Sequence, residues 1–165
     1  MDSQKLTEAV SREAEQAGVT VALGQEVVGI EEGASAVTLK TKNQKFMTTL
    51  LINCAGLHAD RLAHMMGLGL DFLIAPFRGE YFVVSCPGPP IIRSMVYPVP
   101  HSKVPFLGVH LTRTVSGSVL IGPNAVPAFG REAYHWGAVS PRDVLEMIRH
   151  KGFWNALIKN RELVK

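Results

Sequence analysis

The sequence contains no G-x-G-x-x-G loop, and so no motif of its own for seating a pyrophosphate. Cysteine is scarce. Cys54 and Cys86 are the only two, without C-x-x-C spacing or a nearby His-x-His pattern, and they read as buried or partly buried free thiols in a reducing compartment. Apart from His58 and His64, which lie six apart, the histidines do not pair at metal-ligand spacings, so no metal site is expected. No apolar run reaches the ~18 residues of a membrane span. The N-terminal segment lacks the apolar stretch of a signal peptide. The net charge is only +3, and Lys and Arg form no basic run. Nucleic acid is therefore not an expected partner, whereas a small anionic ligand is compatible.

What is present is an ordinary globular composition, 47% hydrophobic and 19% charged, over 165 residues, which suits one domain or parts of two. Leu6, Val10 and Ala14 recur at helical spacing over Ser3 to Gln16, with Gly18 as the terminating glycine. Strands are expected at Val19–Leu23, Glu26–Ile30, Ala36–Lys40 and Lys45–Thr49. The run Leu50–Ala55 is apolar throughout, as in a strand covered on both faces, and Asp60–Met66 reads as a helix closed by Gly67. After Pro76 the texture changes. Strand patterns at Tyr81–Ser85, Ser94–Val99, Pro105–Thr112 and Ser118–Gly122 are separated by Cys-Pro-Gly-Pro-Pro at 86–90, Pro-His-Ser at 100–102 and Ser-Gly at 116–117, which predicts an antiparallel sheet. A Gly/Pro-marked loop follows from Gly122 to Gly130. Ser140-Pro141 then opens a helical tail predicted to hinge at Gly152. The fold class is α+β. Residues 1–75 read as part of a Rossmann-like α/β nucleotide-binding domain, and 76–165 as a portion of a mainly antiparallel second domain with C-terminal helices.

The most informative segment is LLINCAGLHADRLAHMMGLGLDFLIAPFRGEYFVV, Leu50 to Val84. A strand that stops at small residues and feeds a helix is how α/β folds bring backbone close to a ligand. GVTVALGQEVVGI, LLINCAGLHADRLAHMMGL and APFRGEYFVV occur here in the order found in flavin-dependent oxidoreductases related to D-amino-acid oxidase and glycine oxidase. The run PFLGVHLTRTVSGSVLIGPNAVPAFGREAY resembles, more narrowly, the L-2-hydroxyglutarate dehydrogenases (also called oxidases). The resemblance extends from about Leu6 to about Ile148, in a family whose polypeptide is much longer, so the chain reads as an internal fragment, inactive alone.

The resemblance implies FAD as cofactor. It places Val27 against the adenine and Asn53, Cys54, Ala55 and Gly56 in the family's turn near the flavin. A plain strand valine and a plain strand-to-helix turn are the competing readings. Arg78, Gly79 and Glu80 match the family's [Arg/Lys]-Gly-[Glu/Gln] turn, with Gly79 expected to permit an unusual φ and Arg78 to pair or to face the flavin. Glu80 reads equally as a structural or a ligand residue. Tyr97 resembles a substrate-pocket tyrosine, or is a half-buried strand residue. His110 and Arg113 stand in Leu-Gly-Val-His-Leu-Thr-Arg, on opposite faces if the strand is regular, and a bulge would be needed to aim both into one pocket. Asn124 reads either as a flavin or substrate contact or as a turn cap. Arg131, His135 and Arg142 have no partner at an informative spacing and read as surface residues.

The implied activity is oxidation of (S)-2-hydroxyglutarate to 2-oxoglutarate. His110 would serve as base or substrate hydrogen-bond partner, and Arg113 or Arg78 would meet the carboxylates of a dicarboxylate substrate. Amine oxidation of the glycine oxidase type and a non-catalytic binding or scaffold module are the alternatives. The expected partners are the dicarboxylate, the remaining segments of the parent chain, and an electron acceptor, whether oxygen, quinone or an electron-transfer protein. The compartment implied is cytoplasmic or peripheral to the inner membrane in a bacterium, mitochondrial in a eukaryote.

Overall fold

The computed structural model describes residues 2–84, 92–99 and 108–159, which contain four α-helices and eight strands. They group into two units. One comprises residues up to Val21 with Phe77–Pro127, and the other comprises Ala22–Pro76 with the residues from Ala128 on. Helix α1 (Ser3–Gln16) begins where Asp2 caps it, its carboxylate accepting from the Lys5 N–H at 3.2 Å. It ends at Gly18 with φ +90°. There the Gly18 and Val19 N–H groups donate back to Glu15 and Ala14, a Schellman closure that uses carbonyls the helix leaves unpaired. The segment expected as a strand at Val19–Leu23 pairs with nothing among the described residues, and all three of its large apolar side chains are exposed.

In the second unit, β1 (Val27–Glu32), β2 (Val37–Thr41) and β3 (Lys45–Thr48) form an antiparallel meander. Thr41 fixes the second hairpin, its hydroxyl accepting the N–H groups of Asn43 and Gln44. The β1–β2 register slips between Val27 and Gly29, leaving Val28 as a bulge. The run at Leu50–Ala55 is not a strand. No strand among the described residues pairs with it, and Leu50 and Ile52 remain 71% and 73% exposed. An all-apolar pattern signals burial on two faces only where neighbours exist to cover them. A 3₁₀ turn at Gly56–His58 leads into α2 (Ala59–Met65), which lies on β1 and ends at Gly67 with φ +72°.

In the first unit, β4 (Phe77–Arg78), β5 (Phe82–Val84), β6 (His110–Arg113), β7 (Val119–Gly122) and β8 (Val126–Pro127) are all antiparallel. The β4–β8 pair was not anticipated, because β8 lies inside the segment read as a loop. The other three strands form a sheet in the order β5-β7-β6. Its central strand starts at Val119, which is buried. Of the expected Ser94–Val99 strand, only Val96 bridges, exchanging both hydrogen bonds with Leu111. Ser85, Cys86, the turn segments at 86–90 and 100–102 and the start of the expected Pro105–Thr112 strand lie outside the described residues.

The helical tail comprises α3 (Pro141–Arg149) and α4 (Lys151–Lys159). Ser140 caps α3 as expected, accepting from the Asp143 N–H at 3.3 Å. The break falls at His150, extended at φ −88°, ψ 119°, and not at Gly152, which is helical. These helices group with residues 22–76, not with the strands that precede them. An ionic network supplies the reason. Arg131, expected at the surface, is 4% exposed. Its guanidinium donates to both carboxylate oxygens of Asp60 on α2, and its backbone N–H donates to Asp143 on α3 at 2.8 Å. Arg61 on α2 bonds Asp143 and Glu146 on α3, and Arg142 bonds Glu146 at 3.1 Å, so Arg142 is not an unpartnered surface residue either.

Burial by itself raises the pKa of Asp60, but the Arg131 guanidinium and the backbone N–H groups of Ile74 and Arg61 outweigh it and lower the value to about 2. Asp143 and Glu146 are lowered against the same opposing burial, by donors that include Arg61. A carboxylate depressed in the fold stabilises it above the unfolded pKa, and that stability disappears as pH falls through the folded value. Between about pH 4 and pH 2, Asp60 alone should therefore cost the chain about 2 kcal/mol on acidification. Asp60→Asn should lose about 3–5 kcal/mol at pH 7 by stranding the buried guanidinium, with the gap to wild type narrowing towards pH 2. Denaturant unfolding at stepped pH measures both; a gap that stays constant would contradict the assignment.

Candidate functional site

Two sets of expected site residues are present, one in each unit, and each is described within its own unit. In the second unit, a groove of about 540 Å³ opens beside the start of β1 and the inner face of α2. Val27, Val28, Ala55, Leu62 and Met65 supply apolar wall, and Glu26, His58, Arg61 and Arg142 supply polar groups. Val27 and Ala55, both expected at the cofactor, thus line one groove. Gly56 follows at φ +52°, a backbone that other residues resist.

Asn53 serves the turn itself: its amide donates to the Ala59 carbonyl at 2.8 Å and accepts the Ala55 N–H at 3.2 Å. Cys54 is exposed, contrary to the expectation of a buried or partly buried thiol, because the backbone it sits on is uncovered along Ile52–Cys54. His58 Nε2 donates to Glu132 at 3.3 Å at the polar side of the groove.

In the first unit the Val96–Leu111 bridge sets Tyr97 opposite His110. Their rings stack with centroids 4.5 Å apart at 30°, and Tyr81 meets the same imidazole edge-on at 6.3 Å. His110 Nδ1 lies 2.8 Å from the Gly108 carbonyl. A carbonyl only accepts, so Nδ1 carries the proton, and in the neutral ring Nε2 is the acceptor. No bulge interrupts β6: its pairing with β7 runs unbroken from His110↔Gly122 to Arg113↔Val119. Arg113 therefore leaves the opposite face from His110 and is exposed, so the strand does not aim both into one pocket.

Arg78, Glu80 and Asn124 are bonded to one another. Arg78 donates to Glu80 Oε1 at 2.8 Å, Asn124 Nδ2 donates to Glu80 Oε2 at 3.2 Å, and Asn124 Oδ1 accepts the Glu80 N–H at 2.8 Å. Both ends of the Asn124 amide are thus engaged by one residue, and Glu80 acts as their anchor. Its carboxyl is held below the usual range by Arg78 first and Asn124 second. Gly79 has no positive φ; it is required for space, since a Cβ there would stand 2.8 Å from Pro123 Cβ.

Local reading of the sequence missed the groove residues Glu26, His58, Arg61 and Arg142 and the buried Arg131. The side-chain partners of Arg61 and Arg131 stand 12 to 85 positions away. The one local signal was the Arg142/Glu146 spacing on α3. For the turn, Gly79→Ala should destabilise the first unit by about 1–3 kcal/mol, as overpacking does, with the loss read as a lower melting temperature. An unchanged melt would show that Pro123 yields freely.

Residues 1–152 match the family model described as FAD dependent oxidoreductase. Among characterised relatives, the chain is 40% identical over 153 residues to an L-2-hydroxyglutarate dehydrogenase of Escherichia coli (strain K12), covering 92% of this chain and 36% of that protein. It is 45% identical over 139 residues to one from Salmonella houtenae, covering 84% and 33%. It is 34% identical over 164 residues to the mitochondrial L-2-hydroxyglutarate dehydrogenase of Homo sapiens, covering 92% and 35%. The chain thus spans about a third of the length of these relatives. A match over most of the sequence, with relatives above 30% identity sharing one name, places the chain in the FAD dependent oxidoreductase family.

Proposed function

We infer that this chain is the part of an FAD-dependent 2-hydroxy-acid dehydrogenase that presents the substrate-side sheet and one wall of the cofactor site, and that the substrate is (S)-2-hydroxyglutarate, oxidised to 2-oxoglutarate. The observation that carries the reading is His110, with Nδ1 anchored by Gly108 and its ring face packed on Tyr97, in a chain whose relatives are named for that substrate. The donor set of the groove fits the adenine side of FAD. Val27, Val28, Leu62 and Met65 give a flat aromatic group an apolar lining, and Ala55 and Gly56 keep the approach free of bulk. No residue set here matches the pyrophosphate, since the glycine-rich loop is absent from the sequence. When bound, the flavin supplies the two-electron redox chemistry.

The work of this chain's residues is to bind the substrate and manage a proton. His110 Nε2 accepts the proton of the substrate hydroxyl, and Tyr97 and Gly108 keep the imidazole in place for it. Arg78 is better placed than Arg113 to meet a carboxylate. Gly122, the register partner of His110, approaches the Glu80 carbonyl two residues beyond Arg78, whereas Arg113 points away. The electron acceptor is oxygen, a quinone or an electron-transfer protein, and the compartment follows the host, the human relative being named mitochondrial. In a full-length relative, replacing the histidine that matches His110 by alanine should lower turnover on hydroxyglutarate by about 10²–10⁴-fold. Turnover and substrate affinity both within twofold of wild type would rule out the role. Comparable activity on glycine or sarcosine would move the substrate class to amines.

A further inference from the structure

We propose that Arg131 is a positioning residue for the cofactor-side turn, holding Asn53–Gly56 at the groove through the carbonyl of Leu57. The inference rests on the reading of that groove as a flavin site. Arg131 does not line the groove, and its side chain is 2% exposed. Its Nη1 donates both to the Leu57 carbonyl and to Asp60 Oδ1, and its Nη2 donates to Asp60 Oδ2 at 2.8 Å.

Leu57 directly follows Gly56 and sits in the 3₁₀ turn that joins the groove wall to α2. The anchor cannot drift. Asp60 also accepts the N–H groups of Arg61 and Ile74, each at 2.9 Å, and the Arg131 N–H is held by Asp143 at 2.8 Å. The turn's own bonds through Asn53 are exposed, whereas the tie from Arg131 to Leu57 is partly buried.

An ion pair with Asp60 alone would hold α2. The additional bond to Leu57 carries that rigidity into the turn, and it needs the planar fork of a guanidinium. A lysine ammonium can meet Asp60 but does not reproduce the fork that spans carboxylate and carbonyl together. Arg131→Lys therefore separates a purely structural role from a positioning one.

The test uses the full chain, wild type against Arg131→Lys, with Arg131→Met as the harsher variant. Amide hydrogen exchange reads the turn at Ala55 and His58 and the sheet at Ile30 and Leu39, and titration with FAD followed by flavin fluorescence reads the groove. In Arg131→Lys, exchange at Ala55 and His58 should rise at least tenfold while Ile30 and Leu39 stay within twofold, and FAD affinity should fall at least fivefold. Unchanged exchange at the turn, a uniform rise across the sheet, an unfolded lysine variant, or equal FAD affinity in both proteins would each overturn the proposal. If exchange behaves as expected but the wild type takes up no FAD, the flavin reading of the groove has failed and the clamp is structural only, which also overturns the positioning role while leaving its cause identifiable.

Discussion

The Arg131–Asp60 ion pair is the constraint on which the second unit depends. Few apolar side chains are buried among the described residues: Ile30, Pro76, Val119, Ala128, Ala133 and Met147 are all of them, and none of the large ones is fully enclosed. Asp60, Arg131 and Asp143 are as shielded as that set. Burying charge is costly unless every donor and acceptor is met, and here they are met from four directions: the 3₁₀ turn, α2, Ile74 and α3. The same geometry explains why residues from Ala128 on group with Ala22–Pro76. The chain returns because its arginine has a place waiting, and the Ala128 N–H meets the Pro76 carbonyl at 3.0 Å on the way.

The first unit is organised differently. Its order comes from antiparallel register and from two glycines that make room. Gly79 admits Pro123, and Gly122 admits the Glu80 carbonyl and the Tyr81 ring, each of which a Cβ would meet below 3 Å. Glu80 and Asn124 then close the crossing reciprocally. The outcome is a short sheet whose register sets one imidazole between two tyrosines, so the placement of His110 follows from strand pairing and not from a loop.

Features governed by neighbours in sequence were legible. Ser140 as a cap, Gly18 and Gly67 as terminators, and the strands of the meander at 27–48 all follow from propensity, period and turn chemistry acting over a few residues. Val27 and Ala55 converge on one groove although the resemblance, not the pattern, singled them out. What depends on distant partners was not legible. Arg131 looked like any surface arginine because Asp60 lies 71 positions earlier. Leu50–Ala55 looked like an enclosed strand because composition reports a wish for cover and not the presence of it. Gly79 is correctly a glycine position, but for lack of space and not for φ.

The bond between His110 Nδ1 and the Gly108 carbonyl has one more effect. Because that nitrogen is committed, the ring cannot exchange tautomers without breaking its anchor. In the neutral ring the acceptor lone pair is thereby kept on the other nitrogen. A group lying against that side must bring its own hydrogen, so one backbone carbonyl selects what kind of neighbour the imidazole can take, without any rearrangement of the chain.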